Sequence, residues 1–139
     1  MADCRPCSQT MKPLSNALAK ARASVLLVED DPAVRRSLQL LLRSRGFDVR
    51  AYGSSKALLA DDVADQAVLL VADFKLADGD GIQVLEALRR RQWAGPAVLV
   101  TGFPSPDLEK RAKEAGFERV LIKPLIEGSL ADIVERLLR

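Results

Sequence analysis

The chain contains no histidine, few aromatic residues and only two cysteines among its 139 residues. Without histidine it has no imidazole for acid–base catalysis, for binding a metal or for carrying a phosphoryl group. No apolar run approaches the roughly 20 residues that a membrane-spanning helix needs. The N-terminus also lacks the hydrophobic core of a secretory signal. We therefore expect a cytoplasmic protein without a membrane partner.

Both cysteines, Cys4 and Cys7, stand in a Cys-Arg-Pro-Cys motif near the N-terminus. This spacing occurs in redox pairs and in halves of zinc sites. A thioredoxin-type pair follows a strand and opens a helix, whereas this one precedes every predicted strand, and a structural zinc ion needs four ligands. We interpret the motif as an incidental part of a polar leader over residues 1–23, which we expect to be flexible or partly helical.

The charge balance gives little sign of a nucleic-acid partner. Lysine and arginine number 21 against 19 acidic residues, which leaves a net charge of +2. Arg89, Arg90 and Arg91 form a short basic run at the end of a predicted helix, where we interpret them as a solvated end that complements the helix dipole. The sequence therefore predicts no direct binding of nucleic acid.

Residues 24–139 alternate five times between a strand pattern and a helix pattern. Most of the strand segments are continuous apolar runs, which are typical of parallel strands buried on both faces. They lie near residues 24–29, 47–52, 67–72, 97–100 and 120–122. Such alternation predicts a parallel sheet with helices on both faces. We expect a single doubly wound, flavodoxin-like α/β domain with five helices and strand order 2-1-3-4-5.

Capping residues mark several predicted helix starts. Asp31 suits the N-cap of the first helix, and Pro32 suits its first position. Ser54 or Ser55 is expected to cap the second helix, and Asp107 to begin the fourth. These assignments place the residues between strand ends and helices in short loops.

Polar residues stand at the ends of four of the apolar runs. Glu29 and Asp30 follow the first run, Asp73 ends the third, Thr101 the fourth and Lys123 the fifth. In an open parallel sheet the ligand site lies beyond the carboxyl ends of the strands, and strands one and three are neighbours in the predicted order. We therefore expect carboxylates, a hydroxyl and an ammonium to meet at one rim, a set that suits a divalent cation and a phosphoryl group.

Four motifs at these strand ends resemble the receiver domain of two-component response regulators. They are Val-Glu-Asp-Asp-Pro at 28–32, Asp-Phe-Lys-Leu-Ala-Asp-Gly-Asp-Gly at 73–81, Val-Thr-Gly at 100–102 and Ile-Lys-Pro-Leu at 122–125. Each motif alone is weak, but all four occur in order across 24–139. The resemblance implies a signalling domain rather than an enzyme.

The resemblance also implies partners and residue roles. A histidine kinase or a histidine phosphotransfer protein would donate a phosphoryl group from phosphohistidine to Asp73. A downstream protein would then bind the switched surface. The sequence also leaves open that the chain forms a homodimer. Thr101 and Lys123 are implied to contact the phosphoryl group, and the peptide bond before Pro124 is implied to be cis. Within Asp73-Phe-Lys-Leu-Ala-Asp-Gly-Asp-Gly, Asp78 and Asp80 are interpreted as turn residues.

A magnesium site is the cofactor that the resemblance implies. Its ligands would be the carboxylates of Glu29, Asp30 and Asp73 together with the backbone carbonyl of Lys75. Magnesium prefers such oxygen ligands. The family more often has aspartate where this chain has Glu29, and the longer side chain is expected to reach the ion through water.

Several positions depart from the family pattern. Ala77 replaces a proline, with little expected effect. Val120 replaces the tyrosine or phenylalanine that reports phosphorylation in the family, so activation is expected to be muted or to use another element. Phe103 and Lys75 stand where the family tunes the lifetime of the phosphoryl group. A bulky Phe103 hinders attacking water, which gives the hypothesis of slow autodephosphorylation.

Two other functions stay open at this point. Val120 is compatible with a pseudo-receiver, an interaction module that is never phosphorylated. A phosphatase of the haloacid dehalogenase type also uses aspartate, threonine, lysine and magnesium, but it needs a second aspartate two residues after its nucleophile. Lys75 and Pro32 occupy the corresponding positions after Asp73 and Asp30.

Overall fold

A computed structural model describes residues 24–126 and 128–138. The predicted leader, with Cys4 and Cys7, lies outside these residues. The strands are β1 (Ser24–Val28), β2 (Asp48–Tyr52), β3 (Leu69–Asp73), β4 (Lys75–Leu76), β5 (Gly79–Asp80), β6 (Ala97–Thr101) and β7 (Arg119–Ile122). The helices are α1 (Pro32–Ser44), α2 (Ser55–Ala60), α3 (Gly81–Arg90), α4 (Pro106–Ala115) and α5 (Ser129–Leu137), with a 3₁₀ turn at Ala64–Gln66.

Five of the strands form one parallel sheet in the order β2-β1-β3-β6-β7. Counted along the chain within this sheet, that is the predicted order 2-1-3-4-5, and the doubly wound α/β prediction is confirmed. Val28 pairs with Ala72, and Asp73 pairs with Val100. The carboxyl ends of β1, β3 and β6 therefore meet at one rim of the sheet.

Both faces of the sheet are buried, which explains the continuous apolar runs. In β1, Leu26 and Val28 pack on the side covered by α2, α3 and α4, whereas Val25 and Leu27 pack on the side of α1 and α5. All four side chains are at most 1% exposed. Within the described ranges, no helix has the length and apolarity needed to cross a membrane.

The helix starts follow the predicted caps with one difference. The Asp31 carboxylate accepts from the backbone N–H groups of Ala33 and Val34, and Ser54 caps α2, as predicted. The fourth helix begins at Pro106 rather than Asp107, with Ser105 as its N-cap. Proline suits the first helical position because its missing N–H is not needed there.

The loop aspartates do more than form a turn. Asp80 caps α3 and, together with Gln83, completes a reciprocal capping box. Asp78 accepts from the backbone N–H groups of Ser55 and Lys56, at 3.1 and 3.0 Å. These two N–H groups lower the pKa of Asp78. Asp78 thereby fastens the β4–β5 hairpin to the first turn of α2.

The solvated-end interpretation of the basic run is wrong for Arg89. Its guanidinium is partly buried, donates to the carbonyls of Trp93 and Gly95 at 3.0 and 2.8 Å, and lies 5.3 Å from the centre of the Trp93 ring. Arg91 donates to the carbonyl of Leu59. Arg89 therefore closes the loop after α3, and Arg91 joins the end of α3 to α2.

A hydrogen bond between Tyr52 and Asp61 makes stability depend on pH. The Tyr52 hydroxyl donates to Asp61 Oδ2 at 2.5 Å. Burial and this bond raise the pKa of Tyr52 to about 12. The same bond, together with the N–H of Val63, lowers the pKa of Asp61 below its ordinary 3.8. The stabilisation that follows from the raised pKa of Tyr52 is present below pH 10 and is lost toward pH 12. The stabilisation that follows from the lowered pKa of Asp61 is present above pH 3.8 and is lost as the pH falls.

We therefore expect Tyr52→Phe to be less stable than the wild type at neutral pH, with a difference that shrinks on acidification through the pKa of Asp61. Urea unfolding of both proteins between pH 2 and pH 8 measures this difference. An unchanged difference across that range would show that the pair does not contribute through the Asp61 charge.

Candidate functional site

The β1–α1 loop holds its acidic residues through a set of backbone contacts. The N–H of Glu29 donates to the carbonyl of Tyr52 at 3.1 Å, and Arg35 Nη1 donates to the carbonyl of Glu29 at 2.8 Å. The N–H of Asp31 donates to Glu29 Oε2 at 3.1 Å. The Glu29 side chain is consequently fixed in the interior of the rim, where the residue is only 1% exposed.

One ammonium stands between two buried carboxylates. Lys123 Nζ lies 2.8 Å from Glu29 Oε1 and 3.2 Å from Asp73 Oδ2. Burial alone would lower the pKa of Lys123, but the hydrogen bond to Glu29 and the charge of Asp73 outweigh it and raise the pKa above its ordinary 10.5. The ammonium is therefore charged at neutral pH.

The three predicted carboxylates form one cluster. Ligand oxygens of Glu29, Asp30 and Asp73 all lie within 4.8 Å of one another. Asp30 is exposed, whereas Asp73 is only 7% exposed. Among the described residues, Lys123 is the one cation within ion-pair distance of these carboxylates. The cluster therefore has a negative excess, and carboxylate oxygens are the donors that magnesium prefers. The residues present therefore fit the predicted divalent cation.

Thr101 and Phe103 line the same open depression, which measures about 640 Å³ and also contains Asp73 and Lys123. The Thr101 hydroxyl is buried and accepts from the N–H of Phe103 at 3.0 Å. The Phe103 ring is 79% exposed and lies 5.8 Å from Lys75 Nζ. The depression thus brings a hydroxyl, an ammonium and carboxylates together beside an exposed ring.

Each predicted site residue lies at this rim. Lys75 also lines the depression, through its place in β4 directly after Asp73 and Phe74. The role of its carbonyl as a metal ligand stays a prediction. The peptide bond between Lys123 and Pro124 is cis, which confirms that expectation. Val120 is half-buried and packs against the core on the side of α2, α3 and α4.

Three residues support the site although the sequence analysis gave none of them a role. Arg35 holds the Glu29 carbonyl, and Gly53 makes room for it, since a Cβ at Gly53 would lie 3.0 Å from Arg35 Nη1. A Cβ at Gly81 would lie 2.6 Å from the backbone oxygen of Asp73. Of the three, only Gly81 gave a sequence signal, as the last residue of the motif at 73–81. The contacts of Arg35 join three elements and are not visible along the chain.

The fold and the rim together define a doubly wound α/β domain with a cluster of carboxylates at the switch point of its sheet. The family model for the response regulator receiver domain matches residues 25–135. The chain belongs to this family. It is therefore a receiver domain of two-component signalling, and such domains are signalling modules rather than classical enzymes.

Curated relatives share this domain within longer chains. Nodulation protein W of Bradyrhizobium diazoefficiens is 34% identical over 84% of this chain and 51% of its own length. Response regulator protein PilR of Pseudomonas aeruginosa is 30% identical over 86% of this chain and 27% of its own length. The chain thus spans about half or less of the length of these two relatives.

Solved structures show the same architecture. A response regulator receiver domain from Methylobacillus flagellatus is 28% identical, with a TM-score of 0.73 over 84% of this chain and 98% of that one. The chemotaxis protein CheY4 of Vibrio cholerae is 23% identical, with a TM-score of 0.77 over 84% of this chain and 98% of that one. At this identity the second likeness supports the fold alone.

Proposed function

We propose that Asp73 accepts a phosphoryl group from a phosphohistidine, in a magnesium-dependent reaction, and that the resulting aspartyl phosphate switches a protein-binding surface. The observation that carries the proposal is the position of the Asp73 carboxylate. It lies in the carboxylate cluster with Glu29 and Asp30 and 3.2 Å from the Lys123 ammonium.

The transfer makes one bond and breaks one. An Asp73 carboxylate oxygen bonds to phosphorus while the bond from phosphorus to the donor's imidazole nitrogen breaks. The nitrogen keeps the electron pair and takes a proton from solvent, so the donor leaves as neutral imidazole. We assign the contacts with the phosphoryl oxygens to Lys123, whose ammonium lies 3.2 Å from Asp73 Oδ2, and to the hydroxyl of Thr101, which lines the same depression. Positioning and charge neutralisation supply most of the rate in such transfers.

Magnesium would be held by Glu29, Asp30, Asp73 and the backbone carbonyl of Lys75. Bound there, the ion neutralises carboxylates and phosphoryl oxygens that otherwise repel each other. Asp30 is exposed and therefore open to an ion from solvent, whereas Glu29 and Asp73 are buried at the floor.

The partners in this proposal are a histidine kinase or a histidine phosphotransfer protein as donor and a downstream protein as target. Several relatives are described as transcriptional regulatory proteins, such as FixJ of Rhizobium meliloti. The absence of direct nucleic-acid binding, a homodimer and a cytoplasmic location stay predictions.

Beryllofluoride, which mimics an aspartyl phosphate, tests the proposal. One solved neighbour is a BeF₃-activated receiver domain, from DrrB. We expect amide NMR shifts in the wild type that need both magnesium and beryllofluoride and that are absent in Asp73→Asn. A pseudo-receiver would show no shifts, and a phosphatase would turn over phosphomonoesters. Either result would contradict the proposal.

Slow loss of the phosphoryl group is a second part of the proposal. The exposed Phe103 side chain lines the depression, with its ring centre 5.8 Å from Lys75 Nζ. We expect Phe103→Ala to release phosphate several-fold faster than the wild type, because water then reaches phosphorus more easily. A continuous phosphate-release assay after removal of the donor measures both rates. Equal rates, or a slower variant, would refute the shielding role.

A further inference from the structure

Both carboxylate oxygens of Glu29 are engaged by donors of the protein itself. Oε1 accepts from Lys123 Nζ at 2.8 Å, and Oε2 accepts from the N–H of Asp31 at 3.1 Å. The residue is only 1% exposed, whereas Asp30 beside it is exposed. Of the two carboxylates that contact Lys123, Glu29 is nearer than Asp73, which is 3.2 Å away.

This double contact depends on the length of the glutamate side chain. An aspartate at the same position would withdraw the carboxylate by about one carbon–carbon bond, roughly 1.5 Å. It would then be too short to bind Lys123 and the N–H of Asp31 together without a shift of the loop. A glutamine keeps the length, but its NH₂ group is a donor. It therefore satisfies only one of the two contacts.

We infer that Glu29 is a positioning residue, which holds the Lys123 ammonium beside the Asp73 carboxylate that would accept the phosphoryl group. The contact fixes Lys123 by a charge-assisted hydrogen bond, which is stronger than a neutral one. The N–H of Asp31 fixes Glu29 in turn, and the start of α1 fixes Asp31. The ammonium is thus already in place when the phosphoryl group arrives. This role rests on the proposed function of Asp73.

A double-mutant cycle tests the inference. Phosphorylation rates at saturating magnesium and saturating acetyl phosphate are measured for the wild type, Glu29→Gln, Lys123→Ala and the double variant. We expect the phosphorylation rate of Glu29→Gln to fall about 10- to 100-fold, the range typical of groups that orient the ligands of a metal site by hydrogen bonding. The double variant should be no slower than Lys123→Ala alone. Losses that multiply would show that Glu29 acts independently of Lys123 and would overturn the inference.

Asp30 provides the matched control. Asp30→Asn also removes one charge from the cluster, but Asp30 is not among the contacts of Lys123. The fold-losses in phosphorylation rate from Asp30→Asn and Lys123→Ala are therefore expected to multiply in the double variant. Isothermal titration gives a second readout, in which magnesium affinity falls further in Asp30→Asn than in Glu29→Gln. The reverse order would show that Glu29 acts mainly through the metal ion rather than through Lys123, and would overturn the inference.

The conservative variant and the stability of the apoprotein separate the outcomes. Glu29→Asp should recover little of the rate, because its carboxylate does not reach both donors. Urea unfolding of the wild type, both single variants and the double variant without magnesium gives their free energies of unfolding. The losses in the two single variants should not add up in the double variant, because the two residues contact each other. Uncoupled unfolding free energies would overturn the inference. A wild type that takes up no phosphoryl group would overturn the proposed function instead, whatever the coupling.

Discussion

Asp73→Asn is expected to abolish phosphorylation while leaving the fold intact. The amide nitrogen and oxygen are poor nucleophiles, so the rate should fall by roughly a thousandfold or more, as for the removal of other nucleophiles. Neutralising one of three clustered carboxylates also relieves repulsion, so stability without magnesium should stay the same or rise. Incorporation of phosphoryl from radiolabelled acetyl phosphate measures the rate, and urea unfolding measures the stability.

Asp48→Asn is the control for this substitution. Asp48 is exposed at the amino end of β2, on the opposite rim of the sheet. The Asp48→Asn protein should retain the wild-type phosphorylation rate. A phosphorylated Asp73→Asn protein would show that another side chain is the acceptor.

Lys123→Ala is expected to have the second-largest effect, on both rate and stability. It removes the ammonium that contacts Glu29 and Asp73, which are nearly buried. Breaking a buried ion pair from one side costs about 3–5 kcal/mol, and we expect about 3 kcal/mol or less because the lysine side chain is 26% exposed. Urea unfolding without magnesium measures this loss. If the rim carboxylates hold magnesium as proposed, adding the ion should restore part of the stability, because a ligand of the folded state alone stabilises that state.

Lys123→Arg separates charge from geometry. The guanidinium keeps the positive charge, so most of the stability should return, but its planar fork does not place a point charge as an ammonium does. Phosphorylation should therefore remain slow. Lys113→Ala removes an exposed lysine from α4 and should change neither quantity. A Lys123→Ala protein as stable as the wild type would contradict the pairing of this ammonium with two buried carboxylates.

The parts of the fold visible in the sequence are those set by local pattern. β1 and β3 are buried on both faces, so their residues form apolar runs that end in Glu29, Asp30 and Asp73. The topology rule for parallel strands then placed these ends together. The caps at Asp31 and Ser54 follow from hydrogen bonds within a few residues, which the chain itself displays.

The parts that escaped prediction depend on contacts between distant residues. The β4–β5 hairpin has strands of two residues, too short for any periodicity to show. Arg35 lies on α1 but binds the carbonyl of Glu29 beside Gly53, so its role depends on three elements meeting. The double contact of Glu29 is hidden for the same reason, because Lys123 is 94 residues away in the chain.

Mass spectrometry of the intact protein and of its peptides gives the most direct test of the phosphoacceptor role. The wild type is incubated with acetyl phosphate in magnesium and, in parallel, with excess chelator. We expect one phosphoryl group per chain with magnesium, located in the peptide that contains Asp73, and none with chelator. A phosphoryl group on another residue, or equal uptake without magnesium, would contradict the proposed chemistry of the rim.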